Sequence, residues 1–263
     1  MNHNVIYNKP LYYEILFSYR DFSAEVDFLT AVFGKHAGRE LKSVVELACG
    51  PGDHALEFAQ RGIRAVGIDI SGEMVEYAAQ RADEAGSSAV FIRGDMLDFS
   101  LDKPVDSALL MISSIGYILN GDDFVRHLKA VAKNLTEGGI YFIEAPHPSS
   151  IIGNEPRTQN NWVMNRDGVE VEMTWGFPED YTDPITQITD TSVLVKVCDN
   201  GENFEFSDKA PQREYTYQEI KALVRLSGVF EIAEVYGGFD MAQPFDNSPK
   251  SWRMNLVLRK MRS

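Results

Sequence analysis

The sequence is short of cysteine, of basic charge and of long apolar runs, and each shortage removes a class of protein. Two cysteines in 263 residues, Cys49 and Cys198, cannot build the disulfide framework of a small secreted domain. No apolar stretch approaches the roughly 18 residues that cross a bilayer as a helix, and the N-terminus lacks the basic-then-apolar pattern of a signal peptide. The chain is therefore expected in a reducing cytoplasm, away from membranes. Lys and Arg number 25 against 39 Asp and Glu, a net charge of −14. So acidic a body repels phosphate backbones, which disfavours a nucleic-acid partner. The five histidines are scattered without metal-ligand spacing, and no metal is expected. Internal repeats and low-complexity tracts are missing too, which excludes a solenoid. What is there, 44% hydrophobic and 24% charged, is the composition of an ordinary globular chain, long enough for one large domain or a domain with an insertion.

Between residues 43 and 145 short apolar runs alternate with helical periodicity. Ser43–Ala48, Arg64–Asp69, Ala89–Arg93, Val105–Met111 and Ile140–Glu144 predict five strands. Helices are expected through about Arg61, from Ser71 to about Glu84, and from about Asp122 to Asn134. Ser71 is placed to cap the second of these, with Glu73 in its first turn. From Ile151 to Arg213 the period changes to two. Val169–Trp175 and Ile185–Val195 alternate, and Asp199-Asn200-Gly201 signals a hairpin into Phe204–Phe206. The α/β pattern then resumes with a helix near Tyr217–Ser227 and strands near Phe230–Tyr236 and Arg253–Leu258. The expected fold is α/β: a doubly wound, mostly parallel, seven-stranded Rossmann-like sheet with an antiparallel β insertion after the fifth strand. Residues 1–42, with the aromatic-rich Tyr12–Tyr19 and the amphipathic Phe22–Phe33, form an N-terminal helical lid segment. Residues 43–150 are the expected α/β core, 151–213 the insertion, and 214–263 the completion of the core.

The turn after the first strand reads Glu46-Leu-Ala-Cys-Gly-Pro-Gly-Asp-His-Ala55. Glycines at 50 and 52 let the backbone approach a ligand at the open end of that strand. Asp69, closing the second strand, is placed to accept hydrogen bonds from a ribose diol. Alone, Gly50-x-Gly52-x-x-Ala55 fits a dinucleotide site as well as an S-adenosylmethionine site. The other strand ends discriminate. Glu46 offers nothing to a pyrophosphate but suits an ammonium, and Asp95 in Gly94-Asp95-Met96 can accept from an adenine amine while Met96 packs its face. Three carboxylates at three strand ends favour a cationic sulfonium ligand.

These motifs, with Gly67-Ile-Asp69-x-Ser71 and Ser113-Ser-Ile-Gly-Tyr117, resemble the class I S-adenosylmethionine-dependent methyltransferases over residues 43–145. Phe17-Ser-Tyr-Arg-Asp-Phe22 and the Ser-Ser-x-Gly-Tyr segment are similar to small-molecule members, including aminosugar N-methyltransferases. The resemblance implies S-adenosyl-L-methionine as cofactor, contacted by Tyr19, Arg20, Glu46, Ala48, Gly50, Gly52, Asp69, Ile70, Met74, Gly94, Asp95, Met96, Ile112 and Ser113. Arg20 is then the clamp for the methionyl carboxylate. Ala48 departs from the pattern, standing where the family usually has its first glycine.

The resemblance implies methyl transfer to N or O of a small molecule by direct displacement, with orientation as the main source of rate. His147 and Tyr117 are the candidate bases should the acceptor need one. Trp162, Trp175 and Tyr181 are candidate acceptor-pocket residues. The insertion is expected to cover the acceptor or to contact a second copy in a homodimer, and to be separable from cofactor binding. The competing readings are a nicotinamide-dependent oxidoreductase on the same fold and a non-catalytic cofactor-binding regulatory protein.

Overall fold

The computed structural model describes residues 5–150 and 160–262. After a 3-10 turn at Val5–Asn8 come helices α1 (Pro10–Phe17) and α2 (Phe22–Ala37). The core then alternates as β1 (Ser43–Leu47), α3 (Asp53–Gln60), β2 (Arg64–Asp69), α4 (Gly72–Glu84), β3 (Val90–Arg93), β4 (Val105–Leu110), α5 (Gly121–Asn134) and β5 (Leu135–Pro146). The insertion supplies β6 (Asn160–Arg166), β7 (Val169–Trp175), β8 (Ile188–Asp199) and β9 (Glu202–Arg213). Helix α6 (Tyr217–Ser227), β10 (Phe230–Tyr236) and β11 (Arg253–Lys260) close the chain.

The seven-stranded sheet runs β10-β11-β5-β4-β1-β2-β3. Its strands are parallel except that β11 lies antiparallel to both β5 and β10. This is the doubly wound α/β sheet the alternation predicts. Strands β1 and β4 are buried along their whole length, because helices cover both faces and every side chain must be apolar or internally paired. One face packs on α5 and α6 through Phe124, Leu128, Ile220 and Val224. The other packs on α2 and α3 through Val26, Phe33, Ala55 and Phe58. The strand order reverses between β1 and β4, which opens a crevice at their carboxyl ends.

Helix starts follow local chemistry. Asp21 caps α2 by accepting from Ala24 N at 2.9 Å, and Ser71 caps α4 by accepting from Met74 N at 3.2 Å. Strand β5 starts at Leu135, five residues before the expected start at Ile140, since α5 ends at Asn134 and the backbone extends through Gly138 at φ +67°.

The insertion is a four-stranded antiparallel meander, β6-β7-β8-β9. Strand β6 was not legible from propensity, because Asn160-Asn-Trp-Val-Met-Asn-Arg166 is largely polar. Its available signal is Asp167-Gly168, a two-residue hairpin turn with φ of +52° and +84°. The expected Asn200-Gly201 turn joins β8 to β9, again with both residues at positive φ. One face of this sheet buries Val171, Met173, Val193, Val195 and Val197 against Ile6, Ile15 and Leu16 of the N-terminal segment. The lid segment therefore divides. Helix α2 belongs to the core, whereas α1 belongs to the insertion's apolar layer. Among the described residues no helix is long and apolar enough to cross a membrane.

Candidate active site

A cleft of about 2260 Å³ lies where the strands end. Its floor is the carboxyl-terminal turn of each of the first five strands, from Ala48 and Gly50 after β1 to His147 after β5. Its roof is Tyr7, Tyr13 and Phe17 from the N-terminal segment together with Trp162 and Trp175 from the insertion.

The floor is shaped by backbone donors. Gly50 N donates to Asp69 Oδ2 at 2.8 Å and Ser71 N to Asp69 Oδ1 at 2.9 Å, fixing this carboxylate at the wall beside Ile70. A Cβ on Gly50 would meet Tyr13 Cε1 at 3.7 Å across the cleft. Gly52 does something else. At φ +82° its missing Cβ makes room for the Phe91 ring, which would otherwise lie 2.4 Å away, so this glycine serves helix packing and is outside the wall. Met74, in the first turn of α4, is likewise buried and does not line the cleft. Ala48 adopts φ +51°, the conformation its usual glycine takes without strain.

Gly94, Asp95 and Met96 line the next strand end. Asp95 Oδ1 accepts from Leu97 N at 2.8 Å. The Met96 carbonyl accepts from His127 Nδ1 at 2.7 Å. Burial holds His127 neutral, its pKa pulled down to about 4, so Nε2 accepts from Tyr141 OH at 2.6 Å.

Beneath the floor lies a buried charge network that the sequence reading missed. Glu46 belongs to it rather than to the wall: at 3% exposure its carboxylate accepts from His54 Nδ1 at 2.8 Å and Ala55 N at 3.2 Å. His54 Nε2 donates to Glu25 at 2.9 Å, so the imidazole is clamped between two carboxylates. Burial opposes its charge, but Glu46 and Glu25 outweigh burial and raise its pKa to about 10. Arg20 continues the chain, with Nη2 at 2.7 Å from Glu25 and 3.0 Å from Glu144. Glu144 also accepts from Ile112 N at 2.8 Å and from Arg253. Burial works to raise the Glu144 pKa, yet Arg253 and Arg20 hold it at about 2. Arg253 also donates to Ser113 Oγ at 2.8 Å. Ile112 and Ser113 sit at φ +52° and +58°, an uncommon pair of left-handed residues in the wall. A charge inside the apolar run Ile140–Ala145 was the one signal that pointed to Glu144.

The residues present fit the expected cofactor. The Nε atoms of Arg20 and Arg253 are buried donors without a protein partner, and both side chains line the cleft. Two unmatched guanidinium donors suit a carboxylate such as the methionyl group carries.

On the roof side, Tyr117 OH lies 2.5 Å from Tyr7 OH, and burial pushes the Tyr117 phenol up to about 12. His147 lines the cleft, but Ser149 N donates to its Nδ1 at 3.2 Å and its Nε2 donates to the Asp246 carbonyl at 3.0 Å. Tyr19 lines the outer edge and is 59% exposed. Trp162 and Trp175 line the roof, whereas Tyr181 is 72% exposed and outside it.

Residues 44–139 match the methyltransferase domain family. The chain is 26% identical over 125 residues to the dTDP-3-amino-3,4,6-trideoxy-alpha-D-glucopyranose N,N-dimethyltransferase of Streptomyces venezuelae, covering 48% of this chain and 51% of that one. It thus spans about half the length of that relative. An S-adenosylmethionine-dependent methyltransferase from Clostridium acetobutylicum ATCC 824 shares the fold, with a TM-score of 0.75 at 18% identity over 95% of this chain and 96% of its own. So does SAM-bound CalS10, an amino pentose methyltransferase from Micromonospora echinaspora, with a TM-score of 0.71 at 18% identity over 92% of each chain. Between the two nucleotide readings that the glycine turn left open, these comparisons select the methyltransferase.

Proposed function

We propose that this S-adenosylmethionine-dependent methyltransferase of the class I fold methylates the nitrogen of a small amine, of the aminosugar kind its relatives' names describe. The observation that supports the reading is the one cleft that runs from the strand ends to the inserted sheet, in which cofactor and acceptor would share a continuous space. The bound cofactor supplies a methyl group already activated on a sulfonium.

The chain's own residues then bind and orient. In this reading Arg20 and Arg253 hold the methionyl carboxylate, Asp69 holds the ribose and Asp95 the adenine amine. Trp162 and Trp175 cover the acceptor with rigid apolar surface that excludes water. An amine must lose its proton before its nitrogen attacks, and burial against aromatic rings favours the neutral form. Tyr117 keeps its own proton at neutral pH, and protein partners occupy both nitrogens of His147. The reading therefore assigns the rate to orientation, which supplies up to roughly 7–11 kcal/mol in favourable cases.

The test is a panel of primary amines and matching alcohols, including free and nucleotide-linked aminosugars, incubated with S-adenosylmethionine and followed by mass spectrometry. Methyl gain on an amine and none on the matching alcohol is expected. Methyl gain on the alcohol alone would overturn the nitrogen assignment.

A further inference from the structure

Helix α1 has an arrangement that cofactor binding alone does not require. Its cleft side carries Tyr13, which faces Gly50, and Tyr13 stacks on Phe17 with ring centroids 4.5 Å apart. Its other side carries Ile15 and Leu16, both fully buried in the apolar layer of the inserted sheet. Trp162 Nε1 of β6 donates to the Leu16 carbonyl at 3.0 Å. One two-turn helix is thus a wall of the cofactor half and a structural layer of the acceptor cover.

A third side of α1 bears a polar junction. Glu14 Oε1 pairs with Arg166 of β6 at 2.7 Å and with Arg81 of α4 at 3.4 Å, and Glu14 Oε2 accepts from Tyr77 OH of α4. This carboxylate is 13% exposed and touches the lid, the core and the insertion together. The guanidiniums hold its pKa below the ordinary value although burial works to raise it. Without its charge, Arg166 would lose this carboxylate and stand as a like charge near Arg81 across the seam between core and insertion, while Arg81 would keep its ion pair with Asp53 at 2.9 Å. The remaining ties across that seam include Ser71 Oγ to the Tyr7 carbonyl at 3.0 Å and Val5 N to Asp208 of β9 at 2.7 Å, and both also pass through the N-terminal segment.

We propose that α1 couples the two halves of the site, so that cofactor binding under Tyr13 orders the inserted sheet over the acceptor, and that Glu14 is the positioning residue of this coupling. The proposal rests on the reading that the cleft's floor holds the cofactor and its roof covers the acceptor. A helix packed into the sheet cannot close on the cofactor without carrying the sheet along. By linkage, an acceptor held under the sheet slows cofactor loss by the same free energy.

The experiment uses the whole chain and S-adenosylhomocysteine as probe, which keeps it independent of the acceptor's identity. Hydrogen exchange is measured with and without the probe, together with the probe's dissociation rate. In the wild type the probe is expected to slow exchange in residues 10–17 and also in 160–175. Glu14→Gln is expected to abolish the slowing at 160–175 and to speed dissociation about tenfold, the size of one charge-assisted hydrogen bond. Arg166→Gln in the Glu14→Gln background removes the like-charge contact and is expected to recover part of that rate, making the two effects non-additive. Should Glu14→Gln fail to fold, Tyr77→Phe carries the same measurement from the core side. Protection confined to residues 43–146 in the wild type, or additive effects of Glu14→Gln and Arg166→Gln, would overturn the coupling. Failure of the nitrogen assignment would show only in the acceptor panel and leave these measurements unchanged.

Discussion

The core sheet and the inserted sheet solve the burial problem in opposite ways. Strands β1 and β4 are covered on both faces, so their apolar residues do not alternate, and the polar side chains they do bury are hydrogen-bonded inside the core, Glu46 to His54 and Ser107 to the Ile140 carbonyl. Strands β7 and β8 alternate, burying one face and exposing the other. A half-buried sheet needs a cover, and this one takes it from Ile6, Ile15 and Leu16, more than 140 residues earlier in the chain. The core thus stores its specificity in a buried charge network beneath the floor, whereas the insertion stores its own in an apolar layer borrowed from the N-terminus. For the same reason deleting the insertion would leave Ile15 and Leu16 of α1 without the sheet they pack against, and the proposed coupling then predicts weaker cofactor binding where the sequence alone suggests none.

The contrast is tested first where it is largest. Glu144→Ala should destabilise the chain by about 3–5 kcal/mol, because Arg20 and Arg253 would be left as buried charges facing no carboxylate at that point. Urea titration measures this, and a loss under about 1 kcal/mol would show that water reaches the network. Leu16→Ala should cost about 2–5 kcal/mol by leaving a cavity in the insertion's layer. Cofactor binding should weaken with it, whereas a cavity of equal cost at Val224 on the far face of the core should leave that affinity unchanged. Asp69→Ala should lower S-adenosylhomocysteine affinity by roughly tenfold to a hundredfold, or about 1.5–3 kcal/mol, in calorimetric titration.

The charge network also predicts a pH dependence that the inserted sheet should not share. His54 has a folded pKa of about 10 against an ordinary 6.5, so its contribution is complete below about 6.5 and is lost as pH rises through about 10. Melting temperature should fall across that window in the wild type and fall less in His54→Gln. Equal slopes for the two proteins would place the titration elsewhere. Smallest of all, Ala48→Gly should be neutral or stabilising by up to about 1 kcal/mol, since glycine adopts φ +51° without a Cβ clash. A clear loss of stability would mean that the methyl group packs usefully at the cleft floor.

Local pattern sufficed for the elements and for the strand ends. Alternation of runs and turns placed β1 to β5 within a residue or two at most ends, and Ser71, Asp69 and the Gly94-Asp95-Met96 turn stand where the spacing puts them, because caps and βα turns are chosen by chemistry a few residues long. Other positions had no local signature. Gly50 and Gly52 look alike in sequence, yet one faces the cleft and the other faces the Phe91 ring of β3. Glu46 reads as a ligand until His54 is seen to take its charge. Arg20 was singled out by resemblance, but Glu14 and Arg253 are ordinary surface-type residues in the sequence, and only the packing of distant segments makes one a junction and the other a partner of Glu144. The sequence by itself determined the doubly wound core and the chemistry at its strand ends, since both follow from period and turn residues. Tertiary structure alone decided which carboxylates meet the cleft and which segment roofs it. The pairings of Arg20 and Arg253 with Glu144 and of Glu14 with Arg166 join residues more than 100 positions apart, and no short-range pattern records them.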